Sequence, residues 1–387
     1  MTAPVSIASG LPATMAAVVL TGHGGRDRLR YRTDVPVPRP GPGEVLIRVR
    51  ACALNQTDVN TRVAWYGAGV LATGQAAGEA GTWAGTPLRF PLIQGSSIAG
   101  RVAAVGAGVP ARRVGQRVAV DPLIRPEPDT AVDPLFIGSE RDGGYAEYVA
   151  VPARCAHPVE GPLGDVAVAA AQVAHTTAEE MLIRGRLSAG ETLVVTGASG
   201  GVGSALVQLG RQRGARVIAI SRAGKRRAVT SLGASDVIVR EPGQILDSLL
   251  ARLGPRSVDV VADVVGGDLF EPLVSVLRIE GRYVTAGAIG GPRVGLDLRS
   301  LIYKDVEVHG VGSLGSDRAM RNVLRYLAEG KLSPVVAAVF PLDRLADAQE
   351  MFERHDHVGR IVIETGAQEE TQEKGASGLA SAGAAEI

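Results

Sequence analysis

Cysteine is scarce: Cys52 and Cys155 are the only two in 387 residues. That excludes a disulfide framework and a four-thiolate zinc lobe, and makes a reducing compartment the expected setting. An excess of charge of either sign is missing as well. Lys and Arg number 41 against 40 Asp and Glu, a net charge of +1, so no long-range field gathers nucleic acid or an anionic membrane. No apolar run approaches the roughly 20 residues of a membrane-spanning helix. Residues 1–14 lack the basic start and apolar block of an export signal, and a cytoplasmic protein is expected. Aromatic residues make up 4%, which leaves little for stacking on multi-ring ligands. What is present is 45% apolar and 21% charged residues, the balance of a globular chain long enough for two domains with separate cores. A small, nearly neutral molecule is the favoured partner.

Residues 1–14 and 366–387 are rich in small and polar residues without periodicity and read as mobile tails. Up to residue 160 the chain carries short strand-like runs punctuated by Gly and Pro. In one of them Val45, Ile47 and Val49 alternate with Leu46, Arg48 and Arg50, the period of a strand with one buried face. From about Ala167 strands alternate with helical stretches, the pattern of a parallel sheet covered by helices. Strands are predicted at 192–196, 216–221, 236–239, 258–265, 281–286 and 306–311. The expected fold class is α/β: a doubly wound parallel-sheet domain over 161–336, beside a β domain of residues 1–160. Residues 337–365 are expected to return to the β domain as loop, helix and strand.

Within residues 193–205 (LVVTGASGGVGSA) an apolar strand runs into Gly197, Gly200, Gly201 and Gly203 at the start of a helix. Glycines let the backbone approach a phosphate closely, and the free amides and dipole of the helix N-terminus hold its charge. Ser199, Gly200, Gly201 and Val202 are therefore the expected contacts of a dinucleotide pyrophosphate. An acidic residue about 20 positions downstream would favour NAD. Here Ser221, Arg222 and Lys225 supply a hydroxyl and two cations where a 2′-phosphate would sit, so NADPH is expected. The other reading of Arg222 and Lys225 is the solvated start of a helix, since Arg226 and Arg227 follow. Gly287, Ala288 and Ile289 follow the fifth strand, where loops of an open sheet face the ligand.

With this turn placed behind a β domain, the chain resembles the medium-chain dehydrogenase/reductase superfamily over residues 15–365. The motifs are ACALNQTD (51–58), QGSSIAGRVAAVG (94–106), GASGGVG (197–203), ADVVGG (262–267) and HVGRIVI (357–363). The resemblance implies a GroES-like β domain beside a Rossmann domain, an active site in the cleft between them, and a homodimer formed through Rossmann edge strands such as 306–311. It also implies that Thr177, in HTTAEEML, lies near the nicotinamide, with Glu179 standing where the family has tyrosine.

Zinc-dependent members carry a ligating Cys in C-x-T-D and a ligating His in G-H-E. The matching positions here are Asn55 and Ser96, and an amide and a hydroxyl are not competent replacements. The 121–144 loop lacks the four clustered cysteines of a structural site. No zinc is expected at either place. The chain looks most like the zinc-free quinone oxidoreductases and enoyl thioester reductases, in which N-x-x-D is followed by a tyrosine, here Tyr66. The resemblance implies that Tyr66 donates a proton or hydrogen bond while hydride adds to a conjugated double bond, and that Asn55 orients substrate or nicotinamide. On the residues alone, Tyr66 and Trp65 equally wall an apolar pocket, and Asn55 equally caps a turn before a structural Asp58. The insert at 67–90, with Trp83 and Leu88, reads as a substrate-lining lid or as a surface excursion. His309 and Cys52 read as packed residues, and His355 with His357 as too few donors for a metal. The expected function is NADPH-dependent, zinc-independent reduction of an enone, enoyl thioester or quinone. Reduction of an isolated ketone or aldehyde, and NADPH binding without turnover, are the alternatives.

Overall fold

The computed structural model describes residues 10–66, 88–126, 134–241, 243–312 and 317–366. Trp83 and both expected tails beyond residues 10 and 366 lie outside them.

The strand Glu44–Ala53 is the spine of a seven-stranded sheet. It pairs antiparallel with Ser97–Val105, Tyr148–Pro152 and Arg360–Glu364. The alternating exposure read from the sequence holds at Arg48 and Arg50, but Leu46 and residues 51–53 are buried on both faces. Leu46 and Cys52 lie in the core of the β domain, and at Ala51 and Ala53 a helix, Asp165–Arg184, lies across the sheet and removes the solvent side. At the far edge the strand Val336–Pro341 pairs parallel with Arg360–Glu364, the helix Leu345–Arg354 making the crossover. Phe340 and Pro341, expected in a loop, close that strand. An edge position spares Pro341 the cost of its missing amide proton.

The second sheet has six strands, all parallel, in the order Asp236–Val239, Arg216–Ser221, Thr192–Val195, Val258–Asp263, Leu277–Thr285, Glu307–Gly310. The chain starts at the centre, moves to one edge and returns to the other side. That leaves a switch point at the carboxyl end of Thr192–Val195, where open sheets bind ligands. Five predicted strands match within two residues at each end; the fifth begins four residues early, at Leu277.

The Asp165–Arg184 helix belongs to both domains. Val168, Ala169 and Ala170 pack on Ala51, Ala53, Ala99 and Val362 of the β domain. Ala171, Ala178, Met181 and Leu182 enter the core of the parallel sheet, where a fully buried Met or Leu contributes about 1.5–3 kcal/mol. The change of partner occurs at a kink, Gln172, with ψ −108°. Its amide nitrogen donates to the Val168 carbonyl at 2.9 Å, and Thr176 Oγ1 donates to the Gln172 carbonyl at 3.1 Å. These bonds re-satisfy the groups a kink frees. Among the described residues, no helix is long and apolar enough to cross a membrane.

Candidate active site

The glycine turn sits at the switch point and is built from close approaches. Gly197 has φ +53°, and a Cβ on Gly203 would lie 2.1 Å from the Gly197 carbonyl oxygen. Only glycine lets the Gly201–Gln212 helix start this close to the strand end. Across the cleft, the last strand of the β domain grips the turn. The Gly359 amide donates to the Ser199 carbonyl at 2.9 Å. The Arg360 side chain lies over Gly201, where a Cβ would meet its Cδ at 2.6 Å and its Nη1 at 2.9 Å.

The ADVVGG motif shapes the opposite wall. Asp263, fully buried, accepts from Thr196 Oγ1, from the amides of Val265 and Gly266, and from Tyr283 Oη. That carboxylate pins the turn against which the 287–289 loop is laid: a Cβ on Gly287 would lie 2.5 Å from the Val264 carbonyl oxygen. Ile289, at the loop's end, is 55% exposed. Thr177 and Thr176 line the cleft with Gln172 and Val173, facing Leu123 and Phe136 from the β domain. Glu179 is spent elsewhere, accepting from Arg213 Nη2 at 2.7 Å and Asn322 Nδ2 at 2.8 Å. Its replacement of the family's tyrosine therefore serves helix packing.

At the end of the second parallel strand, Ser221 is buried, while Arg222 and Lys225 reach back to the β domain. Lys225 Nζ donates to the carbonyls of His355 and His357 at 2.7 and 2.8 Å, and Arg222 Nη1 approaches the His355 carbonyl at 3.4 Å. Lys225 also closes a 3-10 turn before the helix Arg226–Ser231, the place that the helix-start reading gives it.

Asn55 and Ser96 come together, joined by a residue that sequence reasoning passed over. Asn55 Nδ2 donates to Ser96 Oγ and Ser97 Oγ, each at 3.0 Å, and Asn55 Oδ1 accepts from Arg360 Nη2 at 2.8 Å. Every polar atom of this amide is already engaged. The Asn55 backbone amide donates to Asp58 Oδ2 at 2.8 Å, and Tyr145 Oη donates to the same oxygen at 2.7 Å. Burial raises the Asp58 carboxyl to about 6, a rise held back by those two donors and by Arg360. Arg360 is lowered by burial to about 10 and forms no ion pair among the described residues. In the sequence it stands out only as a member of the HVGRIVI motif.

Tyr66 accepts a long contact from Asn60 Nδ2 at 3.5 Å, and Trp65 meets its ring edge-on with centroids 5.3 Å apart. Burial holds the phenol above its ordinary value, so it stays protonated at neutral pH. Trp65 itself is 42% exposed.

Two side chains around the seam hold buried polar atoms without a protein partner: Arg360 Nε and Gln172 Oε1. His175 is pushed by burial to about 3 and is neutral. Unsatisfied buried groups are rare in folded proteins and ask for a partner. Together with a glycine cradle that a Cβ would fill, they fit a site completed by a bound polar cofactor.

Two family models match the chain: an alcohol dehydrogenase GroES-like domain over residues 41–161 and a zinc-binding dehydrogenase over 201–329. The crystal structure of a provisionally assigned alcohol dehydrogenase from Sinorhizobium meliloti 1021 is 47% identical, with a TM-score of 0.85, covering 92% of this chain and 98% of that one. The quinone oxidoreductase of Rattus norvegicus is 28% identical over 358 residues, 90% of this chain and 97% of the relative. The NADPH-dependent alkenal/one oxidoreductase, chloroplastic, of Arabidopsis thaliana is 27% identical over 364 residues, 93% and 82% of the two chains.

Proposed function

The chain belongs to the medium-chain dehydrogenase/reductase superfamily, in its quinone oxidoreductase and enoyl reductase-like branch. On that premise we propose that it is an NADPH-dependent, zinc-independent reductase of a conjugated carbonyl acceptor, an enone, enoyl thioester or quinone. The observation that carries this reading is the Asn55–Ser96–Arg360 network. A buried guanidinium 2.8 Å from Asn55 Oδ1 puts positive charge where zinc-dependent relatives gather metal ligands. The guanidinium repels a metal ion and the amide oxygen it occupies is no longer free to ligate one, so acceptor polarisation falls to side chains.

The nicotinamide, when bound, supplies the hydride. Ser199, Gly200, Gly201 and Val202 would hold the pyrophosphate through backbone amides and the helix N-terminus. Arg222 and Lys225 would hold the 2′-phosphate: Lys225 has two of its three N–H groups on carbonyls and one to spare. Thr177 and the Gly287, Ala288, Ile289 loop would border the nicotinamide. Tyr66 offers a proton at Oη, with Trp65 as a pocket wall, and Asn55 acts by fixing Arg360. We also propose a homodimer through the open edge Glu307–Gly310. Val308, Leu298, Ile302 and Tyr303 are exposed there, the last at 76%, and apolar patches of this kind mark association surfaces.

Likeness to the provisionally assigned alcohol dehydrogenase of Sinorhizobium meliloti 1021 supports a second reading, reduction of an isolated ketone or aldehyde. Product analysis with NADPH deuterated at C4 separates the two. Label at the β-carbon of an enone supports the proposal, and label at a carbinol carbon overturns it. No NADPH oxidation across enones, quinones, thioesters and aldehydes leaves a binding protein.

A further inference from the structure

His355 and His357 are too few donors for a metal site, yet the fold brings their segment against Lys225 and Arg222. His355 closes the Leu345–Arg354 helix in the left-handed region, φ +52°, and turns the chain toward the last strand. Its carbonyl and that of His357 receive Lys225 Nζ, and Arg222 approaches the first of them. Two imidazoles from one domain and two cations from the other therefore share one corner of the cleft mouth. The Phe352 ring packs against both, its centroid 6.2 Å from His355 and 5.7 Å from His357. The acids that face this corner are Asp356 and Glu353. Neither reaches Arg222 or Lys225 as an ion pair. His357 Nδ1 is buried without a partner.

A corner with two cations and no ion-paired carboxylate, Asp356 acting on Lys225 only from a distance, suits a dianion, and a 2′-phosphate there would face the imidazoles as well. Resting on the NADPH reading, we propose that His355 and His357 are specificity-determining residues of the 2′-phosphate site and make the preference for NADPH over NADH steeper as pH falls. Without ligand, burial holds both imidazoles below their ordinary value, helped at His355 by Arg222 and Lys225 and at His357 by Lys225 and His355, hence neutral at pH 7. A phosphate dianion reverses that field and favours the imidazolium. A ligand that raises the pKa of a group takes up a proton on binding, so its affinity grows as pH falls toward the free-protein value. NADH, with no charge at this corner, gains nothing. The phosphate's own second proton, with a pKa near 6, pulls the other way.

The test measures dissociation constants of NADPH and NADH by fluorescence titration, in the full chain, between about pH 8 and about pH 6. The proteins are wild type, H355N/H357N and K225A. Asparagine suits the left-handed backbone at 355, and the carbonyls that anchor Lys225 stay in place. In wild type the NADH-to-NADPH ratio of dissociation constants should rise about threefold over this range, the roughly fivefold effect of one pKa unit on one imidazole less the roughly twofold loss from protonation of the phosphate. In H355N/H357N it should stay flat or fall. Equal slopes in wild type and H355N/H357N overturn the inference while K225A still lowers the ratio. If wild type shows no preference for NADPH at any pH and K225A changes nothing, the NADPH reading falls and takes the inference with it.

Discussion

Replacing Asn55 by Ala tests whether this amide serves the substrate or the fold. The change removes the 2.8 Å bond from Arg360 Nη2 and the two 3.0 Å bonds to Ser96 and Ser97. It leaves the guanidinium with a 3.3 Å contact to Ser97 Oγ. A hydrogen bond to a charged group contributes about 1.5–3 kcal/mol, and stranded hydroxyls add roughly 1 kcal/mol, so N55A should lose about 3 kcal/mol. Thermal melting should show a midpoint lowered by several degrees. Asn55→Asp keeps the acceptor facing Arg360, and both serine hydroxyls can rotate to donate to it. N55D should therefore recover most of the stability, and the dissociation constant for NADPH should follow stability across the series. If N55A melts with wild type while both N55A and N55D lose kcat at unchanged cofactor affinity, Asn55 touches the acceptor and the positioning argument is wrong.

Tyr66→Phe keeps the ring against Trp65 and removes only the hydroxyl; kcat should fall at least about 100-fold with NADPH affinity unchanged, and an unchanged kcat would make Tyr66 a pocket wall. Gly203→Ala forces a Cβ to 2.1 Å from the Gly197 carbonyl oxygen, so fluorescence titration should find cofactor binding abolished; tight binding would refute the cradle. Ile302→Asp with Tyr303→Asp should convert the protein to monomers in sedimentation velocity; an unchanged assembly removes that edge as the interface. The Asp58 carboxyl, raised to about 6, holds its proton more tightly in the folded chain than in the unfolded one. The stability this contributes is present below about pH 4 and lost as pH rises through about 6. Asp58→Asn lacks the linkage, so its stability relative to wild type should rise across that window, and parallel pH curves would refute the assignment.

Local signals carried most of the fold. The parallel strands were legible because each is a short β-branched run with a helix behind it, and the glycine turn because its spacing has one strong physical use. The site was only half legible, for reasons of distance and register. Gln172 bends its helix without Pro or Gly, and only the change from one domain core to the other reveals why. The tie between Asn55 and Arg360 joins positions 305 apart in sequence. Even so, it follows from one fact about the sheet. The strand Arg360–Glu364 runs antiparallel to Glu44–Ala53 with Val362 opposite Ala53, Ile363 opposite Cys52 and Glu364 opposite Ala51. Extending that register by two residues sets Arg360 opposite Asn55. The same strand's Gly359 holds Ser199, so one pairing aligns the position where relatives bind zinc with the turn where the cofactor's charge belongs. Asn55 and Arg360 are therefore a single unit: an acidic or metal-ligating residue at 55 would meet a guanidinium already in place, and losing either member should disturb the cofactor end before it disturbs the acceptor.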